Sequence, residues 1–181
     1  MTLRLMRHGE PDWGLVAGEP WRGAANDLAP LTSRGQEQAR EAADLLRADP
    51  PALVLSSPMT RALQTAAIIA GTLSVELQVE LDLREWLPDE SYQWTSVSEV
   101  VSAYDEMLLN DGVRPDDSCR WEPLASVRSR ATNVLEKYAS DGTSVLVVCH
   151  EVLIHALTGE QRTEHGAMRT LQLGQRSSND R

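Results

Sequence analysis

Near its N-terminus the chain reads Leu3-Arg4-Leu5-Met6-Arg7-His8-Gly9, a short apolar run that ends in the tripeptide Arg-His-Gly. Such a run predicts a β-strand, and open α/β sheets place their chemistry at the C-terminal ends of strands. Arginine supplies a permanently charged fork of donors that suits a phosphate. Histidine is largely uncharged near neutral pH and can act as a nucleophile. A surface turn could contain the same three residue types, so the rest of the chain has to decide between the two interpretations.

The composition fits one globular domain and excludes several classes of function. The 181 residues suffice for a sizeable core. The formal net charge of −10 argues against nucleic acids and anionic membranes as partners, because both need a basic protein surface. The sequence has no membrane-spanning run and no apolar core of a signal peptide, so we expect a cytoplasmic protein. Cys119 and Cys149 are then reduced thiols, and they lack a metal-ligand spacing.

Two further apolar runs predict strands of the same sheet. Residues 144–149 form the clearest buried strand and are followed directly by His150, while Leu53-Val54-Leu55 predicts a shorter strand. Helical patterns separate these strands. This alternation predicts an α/β fold, namely a three-layer α/β/α sandwich with a largely parallel central sheet. We expect residues 1–181 to form a single domain of this kind.

Serine residues mark the predicted starts of several helices. Ser33 opens a stretch with capping-box spacing, and Ser57 is placed to cap a helix whose first residue is proline. Ser96 begins another capping box. The apolar spacing that follows it predicts that Val97 and Val101 face inward.

The strand ends direct four separated residues toward one edge of the predicted sheet. His8 and His150 each follow a strand directly, and the ends of parallel strands lie on one edge. Arg61 lies one turn into the helix after residues 53–55, at the helix end that favours anions. With Arg7, these residues predict a pocket for one phosphate with histidine as the attacking group. Each residue alone is more often a solvated charge or a structural group, but four of them on one edge argue against that explanation.

The motifs in which these residues lie resemble those of the histidine phosphatase superfamily, which includes the cofactor-dependent phosphoglycerate mutases and many small phosphatases. They follow the family's order along almost the whole chain. The matching stretches are Arg7-His8-Gly9-Glu10, Pro30-Leu31-Thr32 with Gly35, Ser56-Ser57-Pro58 with Arg61, Gln64-Thr65-Ala66, Leu83-Arg84-Glu85, and His150.

The resemblance implies a role for each matching residue and a reaction that needs neither a metal nor another cofactor. His8 would be the nucleophile that becomes phosphohistidine. Arg7, Arg61 and His150 would bind the phosphoryl oxygens and stabilise charge in the transition state. Glu85 matches the family's general acid, which protonates the leaving oxygen and then activates water.

Other titratable residues are weaker candidates. Asp89 is the next candidate for the general acid, because it lies in the same acidic segment as Glu85. On a helix that starts after His150, His155 would not share its face, so we interpret His155 as structural. His165 lies in a polar loop beside a glycine, and we expect it to be exposed.

The substrate rim is predicted from residues around these motifs. Trp13, Trp21, Arg22 and Glu151 are its candidates. Glu151 departs from the family pattern, which commonly has glycine after the second histidine, and it brings a negative charge beside the phosphate pocket. Residues 86–121 contain no family motif and are predicted to form a lid or rim insertion, although a plain structural insertion is an equal alternative.

These observations predict a metal-independent phosphomonoesterase of the histidine acid phosphatase type, acting on a phosphorylated small molecule through phosphohistidine. An open pocket and a short chain favour transfer of the phosphoryl group to water. The alternatives are a phosphotransferase of the phosphoglycerate mutase type and a non-catalytic protein that binds a phosphorylated ligand. The sequence leaves open whether the protein is a monomer or a homodimer.

Overall fold

The computed structural model of the protein describes residues 2–16, 24–138 and 144–172. Its strands are β1 (Thr2–Arg7), β2 (Leu53–Ser56), β3 (Glu76–Val79), β4 (Val145–Cys149) and β5 (Met168–Gln172). They form one sheet in the order β3-β2-β4-β1-β5. The first four strands of the chain are parallel to one another, and β5 pairs antiparallel with β1. The largely parallel sheet confirms the predicted α/β class.

The helices connect these strands and cover both faces of the sheet. They are α1 (Ser33–Leu46), α2 (Thr60–Leu73), α3 (Val97–Leu109), α4 (Leu124–Tyr138) and α5 (Glu151–Thr158). Short 3-10 helices lie at Trp13–Leu15, Ala24–Leu28 and Leu81–Leu83. None of the helices in the described ranges is long and apolar enough to cross a membrane.

The side chains of β4 show how the sheet separates two apolar cores. Val145, Val147 and Cys149 pack with residues of α3, α4 and α5, whereas Leu146 and Val148 pack with residues of α1 and α2. Successive side chains of a strand point to opposite faces, so a strand covered on both faces is apolar throughout. All five residues of β4 are buried. The two cores confirm the three-layer arrangement.

Two of the predicted helix caps are wrong by a few residues. The cap of α1 is Thr32 rather than Ser33, because the Thr32 hydroxyl accepts a hydrogen bond from the Gly35 amide at 2.9 Å. Helix α2 begins only at Thr60, and Ser57 does not cap it. The Ser57 hydroxyl instead accepts from the Met59 amide at 3.3 Å and pairs with a histidine of the candidate site.

Helix α3 begins where the sequence predicts but exposes part of the face expected to be buried. The Ser96 hydroxyl accepts from the Glu99 amide, which confirms the cap. However, Val97 is 77% exposed and Val101 is 51% exposed. Val101 lines an open cavity instead of the core, so its apolar spacing does not indicate contact with the sheet.

Candidate active site

Parallel pairing of β1 with β4 brings the two strand-terminal histidines together. Arg7 is in register with Cys149, so His8 and His150 follow side by side. The His8 amide donates to the Cys149 carbonyl at 3.0 Å. Ring centroids of the two histidines lie 5.1 Å apart in an edge-to-face arrangement. Two residues that are distant in the sequence are therefore neighbours at the C-terminal edge of the sheet.

Close backbone packing between Gly9 and Gly35 determines the path of the chain after His8. A Cβ atom on Gly9 would lie 2.4 Å from the Gly35 carbonyl oxygen, a distance that no real side chain tolerates. The Gly9 amide also donates to the Thr65 hydroxyl at 3.0 Å. Only glycine allows the start of α1 to pack this closely against the turn.

The imidazole of His8 is held in one tautomer by hydrogen bonds at both ring nitrogens. Its Nδ1 lies 2.7 Å from the Gly9 carbonyl oxygen, which can only accept, so Nδ1 carries the proton. Its Nε2 accepts from Nε of Arg61 at 3.1 Å. Burial, and next the charge of Arg61, lower the pKa of His8 well below its usual value. At pH 7 the ring is therefore neutral, with a lone pair on Nε2.

Three further contacts fix the guanidinium of Arg61. One terminal nitrogen donates to the Asn26 carbonyl at 2.7 Å, and the other lies 3.3 Å from the sulfur of Met59. The group also lies 5.2 Å from the centroid of the Trp13 ring, in a cation–π contact. Arg61 is only 5% exposed, so its positive charge is held beside His8 with little freedom to move.

The guanidinium of Arg7 lies in the same region, and protein groups use only some of its hydrogen-bond donors. Its Nη1 donates to the Thr163 carbonyl at 2.7 Å and forms an ion pair with the Glu151 carboxylate at 3.1 Å. Its Nε is buried without a hydrogen-bond partner among the described residues. Because buried polar groups are normally paired, this nitrogen is available to an incoming acceptor.

His150 is fully buried, and its ring lies next to that of His8. Its Nε2 lies 2.7 Å from the Ser57 hydroxyl, and its Nδ1 has no partner within the described ranges. Because the Ser57 hydroxyl already accepts from the Met59 amide, it can donate its own proton to Nε2. Burial, followed by Arg61 and His8, lowers the pKa of His150 well below its usual value, so this ring is also neutral.

Glu85 lines the same cavity as His8, whereas Asp89 does not. Burial raises the pKa of Glu85, against the hydrogen bond from the Trp86 amide at 2.9 Å and the nearby Arg61. The raised pKa helps the carboxyl to hold a proton. At Asp89, desolvation is outweighed by hydrogen bonds from Ser91, and the pKa is lowered. Of the two candidates, Glu85 has the position and the pKa direction of a general acid.

The prediction that His165 is exposed is wrong. Its side chain lines the cavity, and the centroid of its ring lies 5.4 Å from that of His8. The Gly166 amide donates to the carbonyl oxygens of Arg7 and His8, at 3.0 and 3.2 Å. These bonds fold the loop before β5 over the end of β1. Gly166 has a φ of 80°, and a glycine beside a histidine was the one local signal of such a turn.

The cavity has a volume of about 340 Å³ and combines a charged end with an aromatic wall. Trp13 and Glu151, two of the rim candidates, line it, and residues 86–121 contribute Trp86, Trp94 and Tyr104. Trp21 and Arg22 lie outside the described residues. His155 is on α5 but not among the lining residues. In residues 2–16, 24–138 and 144–172, no group of three or more ligating side chains is arranged to hold a metal ion.

Comparisons with known proteins identify the family. The model of the histidine phosphatase superfamily (branch 1) matches residues 3–179. A 2-carboxy-D-arabinitol-1-phosphatase of wheat (Triticum aestivum) is 31% identical over 160 residues, which cover 84% of this chain and 31% of that protein. An Enterobacter sp. (strain 638) protein, named a probable phosphoglycerate mutase, is 28% identical over 162 residues, which cover 87% of this chain and 73% of that protein.

A solved structure shares the fold. A mycobacterial glucosyl-3-phosphoglycerate phosphatase in complex with VO3 superposes with a TM-score of 0.72, over 94% of this chain and 90% of that chain, at 22% identity. At this identity the similarity supports the fold alone. The chain spans about a third of the wheat protein's length, so that protein's activity does not transfer as a whole. Because the family model covers nearly all of its residues, the chain belongs to the histidine phosphatase superfamily (branch 1).

Proposed function

We propose that the protein is a metal-independent phosphomonoesterase that acts through a phosphohistidine at His8. The observation that carries this proposal is the tautomer of His8. Its Nε2 carries the lone pair and lies 3.1 Å from Nε of Arg61. A phosphoryl group attacked by Nε2 would enter a site that already contains a cation for its oxygens. The Nε of Arg7, which has no hydrogen-bond partner in the described part of the chain, is a further donor for these oxygens.

In the first step, Nε2 of His8 attacks phosphorus and the bond from phosphorus to the leaving oxygen breaks. Glu85 gives its proton to that oxygen, and the product leaves as an alcohol. Arg7 and Arg61 stabilise the negative charge on the phosphoryl oxygens in the transition state. The neutral state of His8 matters here, because a protonated Nε2 has no lone pair with which to attack.

In the second step, Glu85 takes a proton from a water molecule, whose oxygen attacks phosphorus. The bond between phosphorus and Nε2 breaks, inorganic phosphate leaves, and His8 returns to its starting state. Burial raises the pKa of Glu85, which suits a group that alternates between acid and base.

The relatives named as phosphoglycerate mutases support a second candidate, in which the phosphohistidine returns its group to the substrate. Such an enzyme would interconvert phosphoglycerates and depend on a bisphosphorylated primer. A non-catalytic protein would bind phosphate without turning over any substrate. These three functions differ in measurable products.

The test measures phosphate release from p-nitrophenyl phosphate in the presence of EDTA, for the wild type, His8→Ala and His155→Ala. His155 is a matched control, because it is a histidine of α5 that does not line the cavity. We expect His8→Ala to lose at least about 10³-fold in kcat and His155→Ala to lose little. Labelling with ³²P-substrate should give an acid-labile, alkali-stable phosphoprotein in the wild type and in His155→Ala, but not in His8→Ala.

Each other result points to a different function. Equal activity in the wild type and His8→Ala would reject His8 as the nucleophile. Primer-dependent interconversion of phosphoglycerates, without phosphate release, would identify a mutase. No turnover, combined with a higher melting temperature in phosphate or vanadate, would identify a binding protein.

A further inference from the structure

Among the described residues that line the cavity, no arginine or lysine besides Arg7 and Arg61 is available to the part of a substrate that lies beyond the phosphoryl group. Arg162 does not line the cavity, but its charge acts on the lining Tyr104, where it opposes the burial that raises the pKa of that phenol. Among the described lining residues, the arginines are Arg7 and Arg61, and both lie at the His8 end. Three carboxyl side chains, Asp27, Glu85 and Glu151, line the same cavity. The proposed phosphate would use both arginines, so a second anionic group on the substrate would find no further arginine among the described lining residues and would lie near the carboxyl groups of Asp27 and Glu151.

Glu151 strengthens this imbalance because of its position. It is the first residue of α5, directly after His150, and its carboxylate lies 3.1 Å from Nη1 of Arg7. The ion pair is largely shielded from solvent, with side-chain exposures of 18% for Arg7 and 24% for Glu151. Glu151 therefore reduces the positive potential at one of the two phosphate-binding cations, and it adds a negative charge to the cavity wall.

Aromatic rings and aliphatic side chains form the remaining wall. Trp13, Trp86, Trp94 and Tyr104 all line the cavity. The Trp86 indole is anchored by a 2.6 Å hydrogen bond to the Glu122 carbonyl, and its ring lies edge-on to Tyr104 at 6.2 Å. Trp13 already lies against the guanidinium of Arg61. Carboxylates beside aromatic faces are the chemistry with which proteins bind ammonium groups.

We propose that Glu151 selects phosphomonoesters whose leaving group carries an amine or quaternary ammonium cation, and that it rejects those that carry a carboxylate. This inference rests on the proposed phosphomonoesterase function. The phosphate would contact His8, Arg7 and Arg61, while the cation would lie between the Glu151 carboxylate and the aromatic wall.

Two isosteric substrates test the proposal by charge alone. Phosphocholine and 3,3-dimethylbutyl phosphate have the same shape, but a quaternary nitrogen in the first is a neutral carbon in the second. In the wild type we expect kcat/KM to be at least about tenfold higher for phosphocholine. 3-Phosphoglycerate should be the poorest of the three substrates, and p-nitrophenyl phosphate serves as the reference for the reaction itself.

Two variants then assign the selectivity to one residue. Glu151→Gln removes the charge and keeps the shape, so the ratio of the kcat/KM for phosphocholine to that for the neutral isostere should approach one, and relative activity on 3-phosphoglycerate should rise. Glu160→Gln is the matched control. Glu160 also forms an ion pair with an arginine, Arg169, but does not line the cavity, so the ratio should stay at the wild-type value.

Hydrolysis of p-nitrophenyl phosphate without a preference for phosphocholine would overturn the inference and leave the proposed function intact. A preference that survives in Glu151→Gln would overturn the assignment to Glu151. If the wild type hydrolyses none of the four esters, the proposed function fails and the inference fails with it. The isosteric comparison in the wild type needs no variant, so poor folding of Glu151→Gln would not prevent a decision.

Discussion

Arg130 forms a two-point ion pair with Glu122, in which Nε to Oε1 measures 2.7 Å and Nη2 to Oε2 measures 3.0 Å. The guanidinium of Arg130 also donates to the backbone carbonyls of Asp82, Arg84 and Glu85. Both side chains of the pair are shielded from solvent, at 10% and 3% exposure. The three hydrogen bonds to backbone carbonyls attach the segment that carries Glu85 to helix α4, and the ion pair with Glu122 holds the guanidinium in place for them. Arg130 is thus a positioning residue for the proposed general acid.

Replacing Arg130 by methionine should lower both stability and kcat. Loss of Arg130 leaves the buried carboxylate of Glu122 with only its longer contact to Arg84, at 3.4 Å, which should reduce the free energy of unfolding by about 3 kcal/mol in urea denaturation. Arg130 also acts to lower the pKa of Glu85, so its removal should move the alkaline limb of the kcat profile to higher pH. A purely structural role would leave that limb unchanged.

Lys137→Met is the control for this variant. Lys137 lies on the same helix, and its exposed ammonium is 3.9 Å from the Glu80 carboxylate. Because a solvent-exposed ion pair contributes little, we expect a loss below about 1 kcal/mol and an unchanged pH profile.

Glu85→Gln should impair alkyl phosphates far more than p-nitrophenyl phosphate. An alkoxide leaving group needs a proton, so kcat/KM for an alkyl phosphate, which reports the first step, should fall about 10²- to 10⁴-fold. Nitrophenolate leaves without a proton, so its kcat/KM should be affected much less. The measurement is kcat/KM for both substrates, with Asp89→Asn as the control. If Asp89→Asn shows the larger, substrate-dependent loss, then Asp89 is the general acid.

Gly9→Ala should destabilise the protein and reduce activity together. The added Cβ would overlap the Gly35 carbonyl, so the turn after His8 or the start of α1 must shift. We expect a loss of about 1–3 kcal/mol in the free energy of unfolding and a lower kcat. In contrast, Gly71→Ala in α2 places its Cβ away from every described neighbour and should stabilise the helix by about 0.5–1 kcal/mol. Equal effects of both changes would refute the close-packing argument.

Stability should fall as the pH decreases below about 6.5, the pKa of histidine in an unfolded chain. The pKa values of His8 and His150 are lowered in the folded protein, so in this range the unfolded state binds protons that the folded state does not. Each histidine should therefore lower the free energy of unfolding by up to about 1.4 kcal/mol for every unit by which the pH falls in this range. His8→Asn should reduce the slope between pH 6.5 and 5, measured by urea denaturation. Between pH 7 and 8, stability should depend on pH in His8→Asn as it does in the wild type. If the variant keeps the wild-type slope between pH 6.5 and 5, the prediction is contradicted.

The placement of His8 and His150 was predictable because it depends on local patterns. Each follows a run of apolar residues that is long enough for a buried strand, and β4 is buried along its whole length. Parallel pairing then makes the residues after both strands neighbours. Strand β3 was missed, since Glu76–Val79 is partly exposed at the edge of the sheet and carries no continuous apolar signal.

Contacts between distant segments were not predictable from the same patterns. Ser57 has the local appearance of a helix cap, but the proximity of His150, 93 positions away, makes it the partner of that imidazole. His165 has the appearance of an exposed loop residue, and only the bonds from Gly166 to the end of β1 bring it to the cavity. Nothing in the sequence near Glu122 indicates its pairing with Arg130.

The sequence by itself determined the α/β class, the strand ends and the residue types that meet there, because these follow from hydrophobic periodicity and from the geometry of parallel strands. Only the tertiary structure decided the protonation state of His8, the choice of Glu85 over Asp89 as the candidate acid, and the pairing of Arg7 with Glu151. Those properties depend on burial and on distances of a few ångströms between side chains from different elements. Such distances arise when the layers pack, and no single segment encodes them.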